Sequence, residues 1–144
     1  MIDREILTTR LSKLREALRK LKEIAARDRD SYLASDNDRA LAEHYLRLAL
    51  EAMFDTGNHV IATEGYRKPL QLREIPLILS ENSVIDRDLA EKCARSAGLR
   101  NRLVHSYIDI DHEIIFDILQ KDLKDLERFA QAVAIYYWNC GAGT

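Results

Sequence analysis

Residues 37–63, NDRALAEHYLRLALEAMFDTGNHVIAT, dictate how the rest of the chain must fold. Leu41, Tyr45, Leu48 and Ala52 recur at spacings of four, three and four, one apolar stripe along a helix. Leu46, Leu50, Met53, Val60 and Ile61 cover much of the remaining circumference. A helix apolar on so many sides must be surrounded, so this segment reads as the central helix of a bundle. Ser35 or Asp36 supplies its N-cap, and Gly65 followed by Pro69 supplies its stop. Asp55 and His59, one turn apart, continue the first stripe on a face otherwise apolar or small. Two readings of that pair stand: the two satisfy each other by hydrogen bonding inside the fold, or one or both face a reactive site and support it.

Working outward, Ile2 to about Arg27 reads as a long helix, with Leu7, Leu11, Leu14, Leu18 and Leu21 forming a narrow apolar seam. Asp28 to Asp38 is a polar connector. Leu72 to Leu79, interrupted by Pro76, gives one or two helical turns. Asp86 caps a further helix through Leu89, Ala90, Cys93, Ala97, Arg100 and Val104, in which Cys93 keeps to the apolar positions and reads as core. Ile108 to Asp111 alternates like a strand but is too short to build a sheet. Asp111 caps the last helix, whose three-four spacing runs from Ile115 to about Tyr136 with Asp122 as its interruption. His44 and His112 are expected on solvated faces or near helix ends. The expectation is one domain spanning residues 1–144: all-α, an antiparallel up-and-down bundle of four to five helices.

Composition narrows the function. Five Gly and two Pro in 144 residues leave little punctuation, which favours long helices over many strands. A net charge of −2 excludes a uniformly basic nucleic-acid coat but leaves room for a local basic patch. Cys93 and Cys140 make no CxxC or Cys/His metal spacing, and the four histidines do not cluster in sequence. Glycine-rich phosphate loops, HExxH and the Gly-x-Ser-x-Gly elbow are all missing from the sequence. No stretch reaches the length needed to cross a membrane, and the expected setting is the reducing cytoplasm.

What chemistry the sequence offers is concentrated in Arg100-Asn101-Arg102-Leu103-Val104-His105-Ser106-Tyr107. Leu99, Leu103 and Val104 give these polar groups an apolar backing. Asn101 and His105 share a helical face, whereas Arg100 and His105, five residues apart, stand about 140° apart on an ideal helix. Either the helix ends near His105 and turns the imidazole, or a second subunit completes the site in a shared cleft. The set suits phosphodiester cleavage. A histidine moves protons near neutral pH, and the 2′-hydroxyl of RNA is an internal nucleophile. Arg100 offers a planar fork to a phosphate gathering charge, and Asn101 orients His105 or binds a phosphate oxygen. Arg102, Arg95 and Lys92 add local positive charge for a single-stranded backbone. The scheme needs no metal and no cofactor. The duller alternative is a helix whose Arg, Asn and His bind neighbouring carboxylates.

The pattern R-x4-H-x-Y, with Asn directly after the Arg, resembles the signature of the HEPN superfamily, and within it the HepT-like toxins. The Asp55–Ala62 stretch, the Gly/Pro break and the closing helix resemble that family too. Ser106 departs from it, since Gly is common at that slot. The resemblance implies a homodimeric, metal-independent ribonuclease toxin of a type VII-like HepT/MntA module, with Arg100 and His105 catalytic and Asn101 supporting. It also implies a partner, an MntA-type minimal nucleotidyltransferase antitoxin that adenylylates the motif tyrosine, here Tyr107. Bulky phosphate charge two residues from His105 would block RNA and compete for Arg100. The alternative from a different class is a non-catalytic nucleotide- or partner-binding subunit of a nucleotidyltransferase complex, in which Arg100 and His105 hold phosphate without cutting.

Overall fold

The computed structural model describes residues 4–105 and 110–142. Seven helices follow in order: α1 Arg4–Ala25, α2 Arg29–Ala34, α3 Asp36–Glu64, α4 Glu74–Glu81, α5 Arg87–Val104, α6 His112–Lys121 and α7 Leu123–Ala142. The described residues contain no strand. Four of the starts are set by local side chains that satisfy otherwise orphaned N–H groups. Asp28 accepts from Ser31 N–H, the Ser35 hydroxyl from Asp38 N–H, Asp86 from Leu89 N–H and Asp111 from Glu113 N–H. Gly65 closes α3 in the left-handed region (φ 71°), a conformation in which a Cβ is strained.

α3 is the central helix. It carries Ala42, Leu46, Leu50, Met53, Phe54, Val60 and Ile61 into the core. Along it lies α1, whose leucine seam is fully buried, from Leu7 at 4% exposed to Leu21 at 0%. The two run antiparallel: Thr9 and Lys13 stand beside Ala52 and Asp55, while Arg27 at the far end pairs with Asp38 at 3.5 Å. α7 packs on α1, and α5 packs on α3, α4 and α7. α4 approaches α3 so closely that a Cβ on Gly57 would lie 2.6 Å from Ile75 Cγ2. Only glycine fits there without displacing the β-branched side chain of Ile75. The adjacent Thr56 is fully buried and donates its hydroxyl to the Ala52 carbonyl.

Two elements differ from the sequence expectation of four to five helices. The connector after α1 forms α2, because Asp28 caps it and Tyr32 finds a buried place against Phe116, ring centroids 5.2 Å apart. The last helix is two, since Asp122 caps α6 through its own N–H to the Ile118 carbonyl and the chain restarts at Leu123. That break lets α6 pack on α1 and α2 while α7 runs beside α1 and α5. His112 is also more than a solvated helix-end residue. It is half-buried, hydrogen-bonded to Tyr32 Oη at 2.8 Å and 3.4 Å from Glu43, so it ties α6 to α2 and α3. No described helix is long and apolar enough to cross a membrane.

Candidate active site

The site is built at the point where α5 stops. Val104 is its last residue, and His105 is the C-cap, with φ −101° and ψ 49° and its N–H donating to the Asn101 carbonyl at 3.0 Å. The chain leaves the helical path at His105. Of the two arrangements open from sequence, the structure shows the helix end. A second copy remains compatible with it.

Arg100 is half-buried, and its Nη1 donates to Asn101 Oδ1 at 3.2 Å. Asn101 therefore steadies the guanidinium through its side chain and His105 through its carbonyl. The His105 ring is exposed and makes no hydrogen bond to a described residue. Among the described residues neither Arg100 nor His105 pairs with a carboxylate, although salt bridges are frequent elsewhere on the surface, as at Arg67 between Glu81 and Glu74. The forked donor and the imidazole thus stay available to an outside anion. Tyr107 lies outside the described residues.

Arg102 and Arg95 are exposed on α5, and Lys92 pairs with Asp88 at 3.2 Å. Asp55 and His59 stand elsewhere. The groove that joins Leu46 and Leu50 to Ser96 and Leu99 of α5 lies along the first half of α3. His112, just past the motif, reaches Glu43. Asp55 is twelve residues beyond Glu43, roughly 18 Å along the helix axis. Within one chain the structure does not bring Asp55 and His59 to the Arg100–His105 end. Nor do they form a mutually satisfied buried pair: Asp55 is exposed, and His59 is half-buried with Nε2 lacking a partner.

Cys93 is buried, and burial pushes its thiol up to about 12, which makes it an inert core group at neutral pH. Among the described residues no three His, Cys, Asp or Glu side chains gather as metal ligands would. Reading the sequence alone passed over Lys121, Asp122 and Lys124, which the α6–α7 joint sets opposite Lys92 and Arg95. The one signal was the charged interruption of an otherwise periodic helix.

A helical bundle among the described residues, with Arg100 and His105 at the end of α5, is the arrangement that the resemblance to the HEPN superfamily implies. The Ribonuclease HepT-like family matches residues 14–133, and the chain belongs to that family. It is 30% identical over 135 residues to a protein of Aphanizomenon flos-aquae named tRNA nuclease HepT, covering 94% of this chain and 92% of that one. It is 28% identical over 88 residues to the mRNA nuclease HepT of Shewanella oneidensis, covering 61% and 66%. In structure it is similar to the tri-AMPylated Shewanella oneidensis HEPN toxin solved in complex with an MNT antitoxin. There the TM-score is 0.82 at 21% identity, over 94% of this chain and 99% of that one.

Proposed function

We propose that this chain is the ribonuclease toxin of a two-component module and cleaves RNA at the Arg100–His105 end of α5. One observation carries the reading. An arginine and a histidine that a purely structural helix end would tie to carboxylates are left without one among the described residues. His105 takes the proton from the 2′-hydroxyl. The freed oxygen attacks the adjacent phosphorus, the bond to the 5′-oxygen breaks, and that oxygen leaves with a proton returned by the imidazolium of His105. Arg100, held by Asn101, stabilises the phosphate oxygens as charge builds on them. The product is a 2′,3′-cyclic phosphate with no metal in the step. Family membership and the two nuclease relatives support the reaction class. The relatives differ in the RNA they are named for, so the target of this chain is left at RNA.

The working unit we infer is a homodimer. Leu41 is 36% exposed, and Tyr45 and Leu48 are half-buried, on the face of α3 turned away from Leu46 and Leu50. Leu48 lies about 200° from Leu46 around the helix. A second copy over that stripe would bury it and bring a second motif, with its own proton carrier. We further infer control by an MntA-type nucleotidyltransferase antitoxin that adenylylates Tyr107, supported by the AMPylated state of the Shewanella oneidensis toxin. The cytoplasm is the setting we infer, which suits the buried free thiol of Cys93.

The test is cleavage of RNA by the purified protein beside His105→Ala and Arg100→Ala. Each substitution is expected to slow cleavage by about a hundredfold or more. Equal cleavage by wild type and His105→Ala would overturn the assignment. Tight nucleotide binding without turnover would instead fit a non-catalytic binding subunit.

A further inference from the structure

Between α3, α5 and the α6–α7 joint lies a groove of about 560 Å³, within the size range of ligand sites. Its floor is apolar: the part-buried Leu99 of α5 and Ile118 of α6, backed by the buried Leu46, Leu50 and Leu123. Its rim is cationic, with Lys92 and Arg95 on one wall and Lys121 and Lys124 on the other. Lys92 is paired with Asp88, and the lining residue Asp125 is 3.5 Å from Arg128. Among the described residues Arg95, Lys121 and Lys124 have no salt-bridge partner. The remaining carboxylate, Asp122, has its pKa held above the ordinary value by burial and by Asp125, against the smaller opposing pull of Lys121, Lys124 and Arg95.

We propose that this groove is a second subsite for single-stranded RNA. It holds a nucleotide flanking the scissile one, the base on the apolar floor and the backbone phosphates between Arg95 and the Lys121–Lys124 wall. The proposal rests on the ribonuclease reading of the Arg100–His105 end. Single-stranded RNA presents flat apolar faces and a regular row of negative charges, and this groove presents the complement of both. An acidic protein surface would answer the lysines but not the apolar floor. The groove is also continuous with the motif. Arg95 and Arg102, seven residues apart, fall within about 20° of each other on α5, so one cationic edge leads from the groove to the helix end. Leu99, on the floor, is six residues from His105, roughly 9 Å along the axis.

The experiment uses the full chain carrying His105→Ala, so that RNA survives the titration. It is compared with the same protein also carrying Lys121→Gln and Lys124→Gln. Both, and a control carrying Lys13→Gln and Lys68→Gln instead, bind a fluorescent single-stranded RNA of about 12 nucleotides over a range of salt. Two lost phosphate contacts should weaken binding of the long RNA about tenfold and flatten the log–log salt slope by about 1.4. The control should bind as tightly as the parent. Lys121 and Lys124 are exposed, and matching helical circular dichroism spectra and melting curves check that the variant is folded. Unchanged affinity and slope for the long RNA would overturn the proposal, as would an equal loss for the control. Loss of antitoxin binding with RNA binding intact would overturn it in favour of a protein interface. If wild type cleaves RNA while the lysines have no effect, the groove alone is refuted. Lysine-dependent binding by a protein that never cleaves would refute the ribonuclease reading and leave the groove.

Discussion

Single residues in this chain do their work through what is left unpaired as much as through what is bonded. Arg100 and His105 sit on a surface where Arg19, Arg67 and Arg87 all find glutamates, yet neither has a described acidic partner. Tyr32 shows the opposite case. It is fully buried, and its hydroxyl is committed to His112 at 2.8 Å. Burial, reinforced by Glu43, pushes the Tyr32 phenol up to about 12. The native state therefore favours the neutral phenol, and its contribution is complete below the unfolded value near 10. It is lost as pH rises from there through about 12. Tyr32→Phe should cost about 1 kcal/mol near neutral pH, the net value of one hydrogen bond. In urea unfolding that cost should shrink as pH climbs above 10. A cost that stays constant or grows over that window would contradict the account.

At the scale of elements, the contact between α3 and α4 is set by one missing methyl group. Gly57→Ala places a Cβ 2.6 Å from Ile75 Cγ2 and 3.3 Å from Leu79 Cδ1. Overpacking of this kind costs about 1–3 kcal/mol, while alanine in a helix returns at most about 1 kcal/mol. The net expectation is a loss of about 1 kcal/mol in the urea midpoint experiment; a more stable variant would refute the close-packing argument. The helix starts at Ser35, Asp86 and Asp111 and the stop at Gly65 were legible in the sequence, because each is an interaction between a residue and backbone within a few positions of it. The leucine seam of α1 was legible for the same reason of short period. α2 was not, since its one buried side chain, Tyr32, finds its partners on α6, some eighty residues on. The restart after Asp122 was visible only as a blemish in the periodicity. Arg100, Asn101 and His105 were legible as a motif, and the end of α5 at His105 supplied the geometry. Lys121 and Lys124 were not, because they share a groove with Arg95 only through the packing of α7 on α5.

For the whole molecule, the central helix is covered by α1 and α5 but keeps Leu41, Tyr45 and Leu48 partly exposed along one side. A second copy of the chain is the cover we infer. Leu41→Asp puts a charge on the most exposed residue of that stripe, one that is not packed against the core. Light scattering should then show a dimer for wild type and a monomer of unchanged helical content for the variant. A monomeric wild type would remove the shared cleft from the account. The central claim, however, is chemical: the nucleophile is the 2′-hydroxyl of the RNA itself, with His105 moving the proton and Arg100 holding the phosphate. It is tested most directly by the 3′ end of the RNA fragments made by the purified protein in the presence of a chelator. The account predicts a 2′,3′-cyclic phosphate, and fragments ending in a free 3′-hydroxyl would contradict it.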